Sequence, residues 1–331
     1  MKRHGHLFEK IISFDNLVLA AKKAFRGKKD KRRIADFCLN LENEILALRS
    51  ELHTRTYAPR PLRAFWIYEP KLRKIGASDL RDRVVHHAVF NIIEPILERG
   101  YISHSYACRT GKGTHRVVRQ AQAYCRRYRY FLKCDVRKYF ESIDHEVLKR
   151  LLERRFKDPE LLWLLGVIIE ASGEGGRGIP IGSLSSQHFA NLYLDCLDHH
   201  VKDGLGVKGY IRYMDDFLCF GNDKEGLHRI KADIESRLRG GLKLELKRSA
   251  TMMALCRDGV PFLGFNIFPG IIRMRRENKK RSLGKMRART NEFETGQLGG
   301  EAYSRSMSSI AEHLKMANTY RLRRDVLDKA P

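Results

Sequence analysis

Two adjacent acids, Asp215 and Asp216, stand in the segment GYIRYMDDFLCF at 209–220, with apolar and aromatic residues on either side. A third acid, Asp135, ends the run FLKCD at 131–135. Carboxylates at strand ends are the oxygen donors that hard divalent cations prefer, and one acid facing a pair at a hairpin tip could build a single shared metal site. Two plainer readings stay open. Asp-Asp is a common solvated turn, because Asp bonds its own neighbouring backbone, and Asp135 alone could cap a helix.

The elements that must position these acids follow from periodicity. Ile211 and Tyr213, then Phe217 to Phe220, read as two short strands with the acids at the tip of a tight hairpin. Residues 131–136 read as a buried strand, followed by Tyr139-Phe140 and a Ser142-Ile143-Asp144 turn into a helix over 145–156. Residues 57–69 read as extended, because Pro59 and Pro61 exclude helix and Phe65-Trp66-Ile67-Tyr68 are strand formers. Lys71, Arg73 and Lys74 continue that run, where alternate cations suit a triphosphate or a backbone phosphate.

Apolar spacing predicts helices over 17–25, 34–53 and 227–238, and one from Asp82 that Pro95 interrupts. Residues 242–246 alternate as a strand, and Pro261–Phe265 reads as a short apolar turn. Glycines crowd 170–178 and exclude regular structure there. Basic residues crowd 273–285, and two helices joined through 296–300 read as a basic C-terminal appendage.

The totals bound the class. With 43% hydrophobic residues in 331, the chain can bury a real core, as two to three domains or one catalytic body with an appendage. Lys and Arg number 64 against 39 Asp and Glu, a formal net charge of +25 spread along the whole length, which points to a long polyanionic partner. Seven scattered cysteines with no Cys-x-x-Cys pair argue against a zinc site or disulfide framework and for a reducing cytoplasm. No signal peptide and no run of eighteen apolar residues is seen, so neither export nor a membrane partner is expected.

From about residue 65 to 268 the chain resembles a reverse transcriptase. The resemblance rests on FLKCDVRKYF, the G-x-x-x-S-Q segment at 182–187, the YMDD pair and the FLG turn, which occur in that family's order. It implies an α+β right-hand polymerase fold: fingers over 1–129 with part of 157–200, a palm over 130–271 with an antiparallel sheet backed by helices, and a basic helical thumb over 272–331. It also implies that Asp135 and Asp215, helped by the Val136 carbonyl, bridge two Mg2+ ions, with Mn2+ able to substitute and Asp216 beside them. The substrates would be dNTPs, a template RNA and the growing cDNA/RNA duplex.

Lys71 and Arg73 match the residues that hold the triphosphate, and Phe140 matches an aromatic steric gate against a 2′ hydroxyl. Ile181, Gly182 and Gln187 match positions around the incoming nucleotide. Tyr213, Met214, Leu263 and Gly264 match positions that contact primer and template. The variant I-G-S-L-S-S-Q, with S-Y-A-C-R-x-G-K-G and D-R-V-V-H-H, is similar to the enzymes of diversity-generating retroelements. That likeness implies cDNA errors concentrated opposite template adenines, a small basic oligomeric accessory protein, and a bacterial, phage or archaeal cell. An apolar Ile181 where an amide is usual discriminates weakly, since specificity is large only when a site is built on a hydrogen bond. The alternative is a defence-associated, group II intron-like or retron reverse transcriptase without adenine-directed errors.

Overall fold

The computed structural model describes residues 3–27, 32–68 and 72–327. Four helices open the chain: α1 (Phe8–Ile11), α2 (Phe14–Ala24), α3 (Arg32–Leu39) and α4 (Leu41–His53). The single helix expected over 34–53 is therefore two, because Asn40 leaves helical geometry at φ −105° and ψ 24°. Strands β1 (Arg63–Tyr68) and β2 (Leu72–Ala77) form an antiparallel hairpin, with Ile67 opposite Arg73 and Phe65 opposite Ile75. Lys71 lies outside the described residues.

Helix α5 (Leu80–Gly100) begins at Asp79, whose side chain accepts from the Arg81 amide, and it runs on through Pro95. A proline inside a helix costs about 3 kcal/mol. Here the helix also buries Val84, Val85, Ala88, Val89, Phe90, Ile93 and Leu97 and packs on α2, and burying apolar side chains at about 1.5–3 kcal/mol each outweighs that cost.

The middle of the chain holds α6 (Thr114–Arg127), β3 (Tyr130–Asp135), α7 (Tyr139–Ser142), α8 (His145–Glu153), α9 (Pro159–Glu170) and α10 (Leu184–His199). Asp144 and Asp158 cap α8 and α9. Then come β4 (Gly209–Tyr213), β5 (Asp216–Gly221) and α11 (Lys224–Leu242). The strand expected at 242–246 does not form. Lys243 turns at φ 53°, and the Leu244 amide bonds back to the Leu238 carbonyl, which finishes α11 instead. The next strand is β6 (Met252–Leu255), followed by β7 (Val260–Phe262), β8 (Phe265–Ile267) and β9 (Ile272–Met274). Helices α12 (Arg276–Glu294), α13 (Gly300–Lys315) and α14 (Tyr320–Leu327) close the described chain.

These elements make two compact units, each assembled from separate stretches of chain. The first comprises Met1–Cys108, Val136–His200 and Asp233–Lys247. Its core lies where α2 and α10 pack on α5, with Leu17, Ala88, Leu148, Phe189 and Leu192 buried. The second comprises Arg109–Asp135, Val201–Ala232 and Arg248–Pro331. It holds a four-stranded antiparallel sheet in the order β4-β5-β3-β6 and a three-stranded sheet β7-β8-β9. Helix α6 packs against β4, β5 and β8, and the last helices share a small core of Met286, Met307 and Leu314. Among the described residues no helix is long and apolar enough to cross a membrane.

Candidate active site

The three acids come together at one end of the four-stranded sheet. Strands β3 and β5 pair in a register that sets Asp135 directly opposite Asp216, and β4 and β5 pair so that Tyr213 also faces Asp216. Met214 and Asp215 are the two residues of the hairpin turn between them. Met214 takes φ 57°, a left-handed conformation that a two-residue hairpin often demands and usually fills with glycine. The buried Arg212 guanidinium donates to the Met214 carbonyl at 3.0 Å and so braces the turn from within the strand. The Thr114 hydroxyl bonds Tyr213 Oη at 3.2 Å, which ties the last residue of β4 to the start of α6.

Like charges directly opposite each other in a sheet repel. The structure answers that repulsion with a residue that sequence reasoning passed over. Lys133, two residues before Asp135 and so on the same face of β3, places Nζ 3.2 Å from Asp216 Oδ2. The same ammonium donates to the Pro261 carbonyl at 3.1 Å. Both side chains of the pair are largely withdrawn from water, at 16% and 15% exposure. Asp216 Oδ1 is buried with no hydrogen-bond partner. Burial, the largest cause, pushes the Asp216 carboxyl up to about 7, with Lys133 opposing and Asp135 and Asp215 adding to the rise. The signal for Lys133 was in the sequence: a cation at i−2 on a strand shares the face of the acid that ends it.

The donor set fits a divalent cation in chemistry. It is all oxygen, its members crowd one another electrostatically, and one buried oxygen lacks a partner. Among the described residues no three such side chains already converge as a finished cage. The carboxylates therefore stand as neighbours, not as a closed coordination shell.

The turn expected at 261–265 is a two-residue hairpin in the same unit. Phe262 pairs with Phe265, and Leu263 and Gly264 take φ 47° and 86°. Two successive positive φ values are the signature of a type I′ turn, which matches the twist of its strands. The Gly264 carbonyl accepts from the Arg275 amide at 3.0 Å, and a Cβ there would fall 1.8 Å from Asn278 Nδ2, so the turn is seated against the start of α12.

The other expected site residues lie in the first unit. Val136, next in the chain after Asp135, is buried and bridges to Leu246. Phe140 is half-buried, while its neighbour Tyr139 is the ring that enters the core and donates to the Ala190 carbonyl at 2.5 Å. The Phe140 carbonyl accepts from the Ile179 amide at 2.9 Å, and two residues on the Ile181 carbonyl accepts from Gly76 at 3.1 Å. Ile181 thus adds a short parallel bridge to Ile75 on β2. Gly182 sits at φ 105°, where a Cβ would approach Ile75 Cγ2 to 2.8 Å. Arg73, Lys74, Trp66, Arg177 and Ile181 help line a cleft of about 780 Å3 beside this bridge. Gln187 lies half-buried in the first turn of α10.

Comparison with known proteins gives the family and the fold. Residues 69–267 match the family described as reverse transcriptase (RNA-dependent DNA polymerase). The chain is 27% identical over 270 residues to protein YkfC of Escherichia coli K12, covering 68% of this chain and 71% of that protein. It is 23% identical over 321 residues to the group II intron-encoded protein LtrA of Lactococcus lactis subsp. cremoris, covering 75% of this chain and 53% of LtrA, about half of that relative's length. Among solved structures, telomerase from Candida albicans in complex with the TWJ fragment of telomeric RNA aligns with a TM-score of 0.52 at 11% identity, over 79% of this chain and 56% of that one. Apo telomerase from Candida tropicalis, truncated from the C-terminal domain, aligns at 0.50 and 12% identity, over 68% of this chain and 58% of that one. At such identities the likeness is one of fold, and the fold is the right-hand polymerase architecture.

Proposed function

We propose, from the premise that this chain belongs to the reverse transcriptase family, that it is an RNA-directed DNA polymerase copying a template RNA into cDNA. The observation that carries the reading is the sheet end where Asp135 opposes Asp216 and Asp215 occupies the adjoining turn. Phosphoryl transfer leaves a protein little covalent work beyond positioning and charge stabilisation. Two Mg2+ ions, or Mn2+ in their place, would neutralise the transferring phosphate and favour ionisation of the primer 3′ hydroxyl. Asp135 and Asp215, with the Val136 carbonyl, are the residues assigned to hold them, and Asp216 stands beside them.

Arg73 is assigned to the triphosphate of the incoming dNTP, together with Lys71. Phe140 is the proposed gate against the 2′ hydroxyl, supported by its half-buried ring. Ile181 and Gly182 are assigned to the nascent base pair, with Gln187 behind them in α10. Tyr213, Met214, Leu263 and Gly264 are the proposed contacts to primer and template in the growing cDNA/RNA duplex.

The finer reading is a diversity-generating retroelement enzyme, error-prone opposite template adenines, acting with a small basic accessory protein in a prokaryotic cytoplasm. Ile181 supports it, because an apolar contact replaces a hydrogen bond where discrimination is made. A second reading, a group II intron-like enzyme without adenine-directed errors, is supported by the likeness to LtrA. Primer extension on a mixed-sequence RNA with magnesium and all four dNTPs, followed by product sequencing, separates them. Errors clustered opposite adenine are expected. Evenly distributed errors would leave the polymerase and remove the retroelement assignment.

A further inference from the structure

Lys133 is an ordered cation in a place where cations are seldom spent. Lysine carries about 2 kcal/mol of rotamer entropy and is strongly hydrated, so a lysine held at 16% exposure between two fixed acceptors gives up both freedom and water. Its two acceptors belong to different sheets. One is Asp216 Oδ2 on β5, the other the Pro261 carbonyl on β7, two residues before the Leu263-Gly264 turn. The ammonium therefore ties the acid end of the four-stranded sheet to the β7–β8 hairpin. It contacts Asp216 through Oδ2, and Oδ1 is the Asp216 oxygen that is buried with no hydrogen-bond partner.

We infer that Lys133 is a positioning residue for the polymerase reaction. It fixes the Asp216 carboxylate so that Asp216 supplies a single oxygen beside Asp135 and Asp215, and it holds the β7–β8 turn in register with those acids. The inference rests on the acid-site reading above. It adds that the subsidiary standing of Asp216 is imposed by this chain's own lysine. Lys133 does not touch the reacting atoms and acts only through Asp216 and the hairpin.

The test is a double-mutant cycle with two readouts. In the metal-free protein, K133M leaves a buried carboxylate without its cation and lowers the melting temperature by several degrees. In a D216N background that carboxylate is gone, and the same K133M change costs much less. In primer extension, K133M lowers the rate at saturating dNTP by about ten- to a hundredfold, the usual scale for residues that orient metal-binding groups. K133R, which keeps the charge and the reach, recovers part of that rate. Equal melting costs of K133M in both backgrounds would overturn the inference, since a purely structural lysine acts independently of Asp216. So would a K133M enzyme that extends primers at the wild-type rate. D135N keeps the two readings apart. If D135N extends primers normally, the acid-site reading itself falls; if it is inactive while the cycle is additive, only the role of Lys133 falls.

Discussion

A carboxylate set directly across from another in a sheet is unfavourable unless something of opposite charge stands between or beside them, and Asp135 and Asp216 meet that condition through Lys133. The acids were legible in the sequence because residue type and strand context suffice to mark a strand-end carboxylate. Lys133 and Arg212 were legible only in part: spacing sets Lys133 on the face of Asp135, but a cation inside an apolar run has the same spelling whether it is solvated or buried against an acceptor. Only the fold distinguishes them, with Arg212 buried under the turn it braces. Phe140 shows the same limit from the other side. The family resemblance matched it to a gate, and the structure buries the neighbouring Tyr139 while leaving Phe140 half-buried. Replacing Phe140 by Ala is expected to raise ribonucleotide incorporation relative to dNTPs by at least about tenfold, the scale of a lost steric contact. Competition assays with mixed nucleotide pools measure this, and unchanged sugar selection would place the gate elsewhere.

At the scale of elements, the central hairpin and the strand before Asp135 were readable because their apolar runs are short, bounded and rich in β-formers. The failures have local causes. Helix α5 passes through Pro95 because tertiary burial outweighs one lost hydrogen bond, and 242–246 stays irregular because the end of α11 claims its backbone. The helix expected over 34–53 splits at Asn40, a break that apolar periodicity alone does not register. The β7–β8 turn was legible as a turn but not as a docking point, since its contact with Asn278 joins positions fourteen residues apart (264 and 278). Gly264→Ala is expected to cost about 1–2 kcal/mol, from a strained positive φ and displacement of the Asn278 side chain. Denaturant titration reads that loss directly, and an unchanged midpoint would mean the turn relaxes without strain.

At the scale of the whole molecule, charge is the most legible property and the least local. A net +25 carried by residues throughout the chain implies that affinity for RNA is a sum over many phosphate contacts, weakened by salt and insensitive to any single acid. The assembly of two compact units from alternating stretches of sequence leaves no mark in composition or periodicity, because it depends on contacts between residues far apart in the chain. Distributed binding and localised chemistry make one comparison decisive. Asp215→Asn should be set beside the wild-type protein in single-turnover primer extension with magnesium, and in RNA binding at matched salt. Extension is expected to fall by about a thousandfold or more, since charge stabilisation of the transferring phosphate is worth several kcal/mol, while RNA affinity stays within about twofold. Extension by the Asn variant at a rate near wild type would contradict the assignment of Asp215 to the reaction, and with it the account of this sheet end as the polymerase centre.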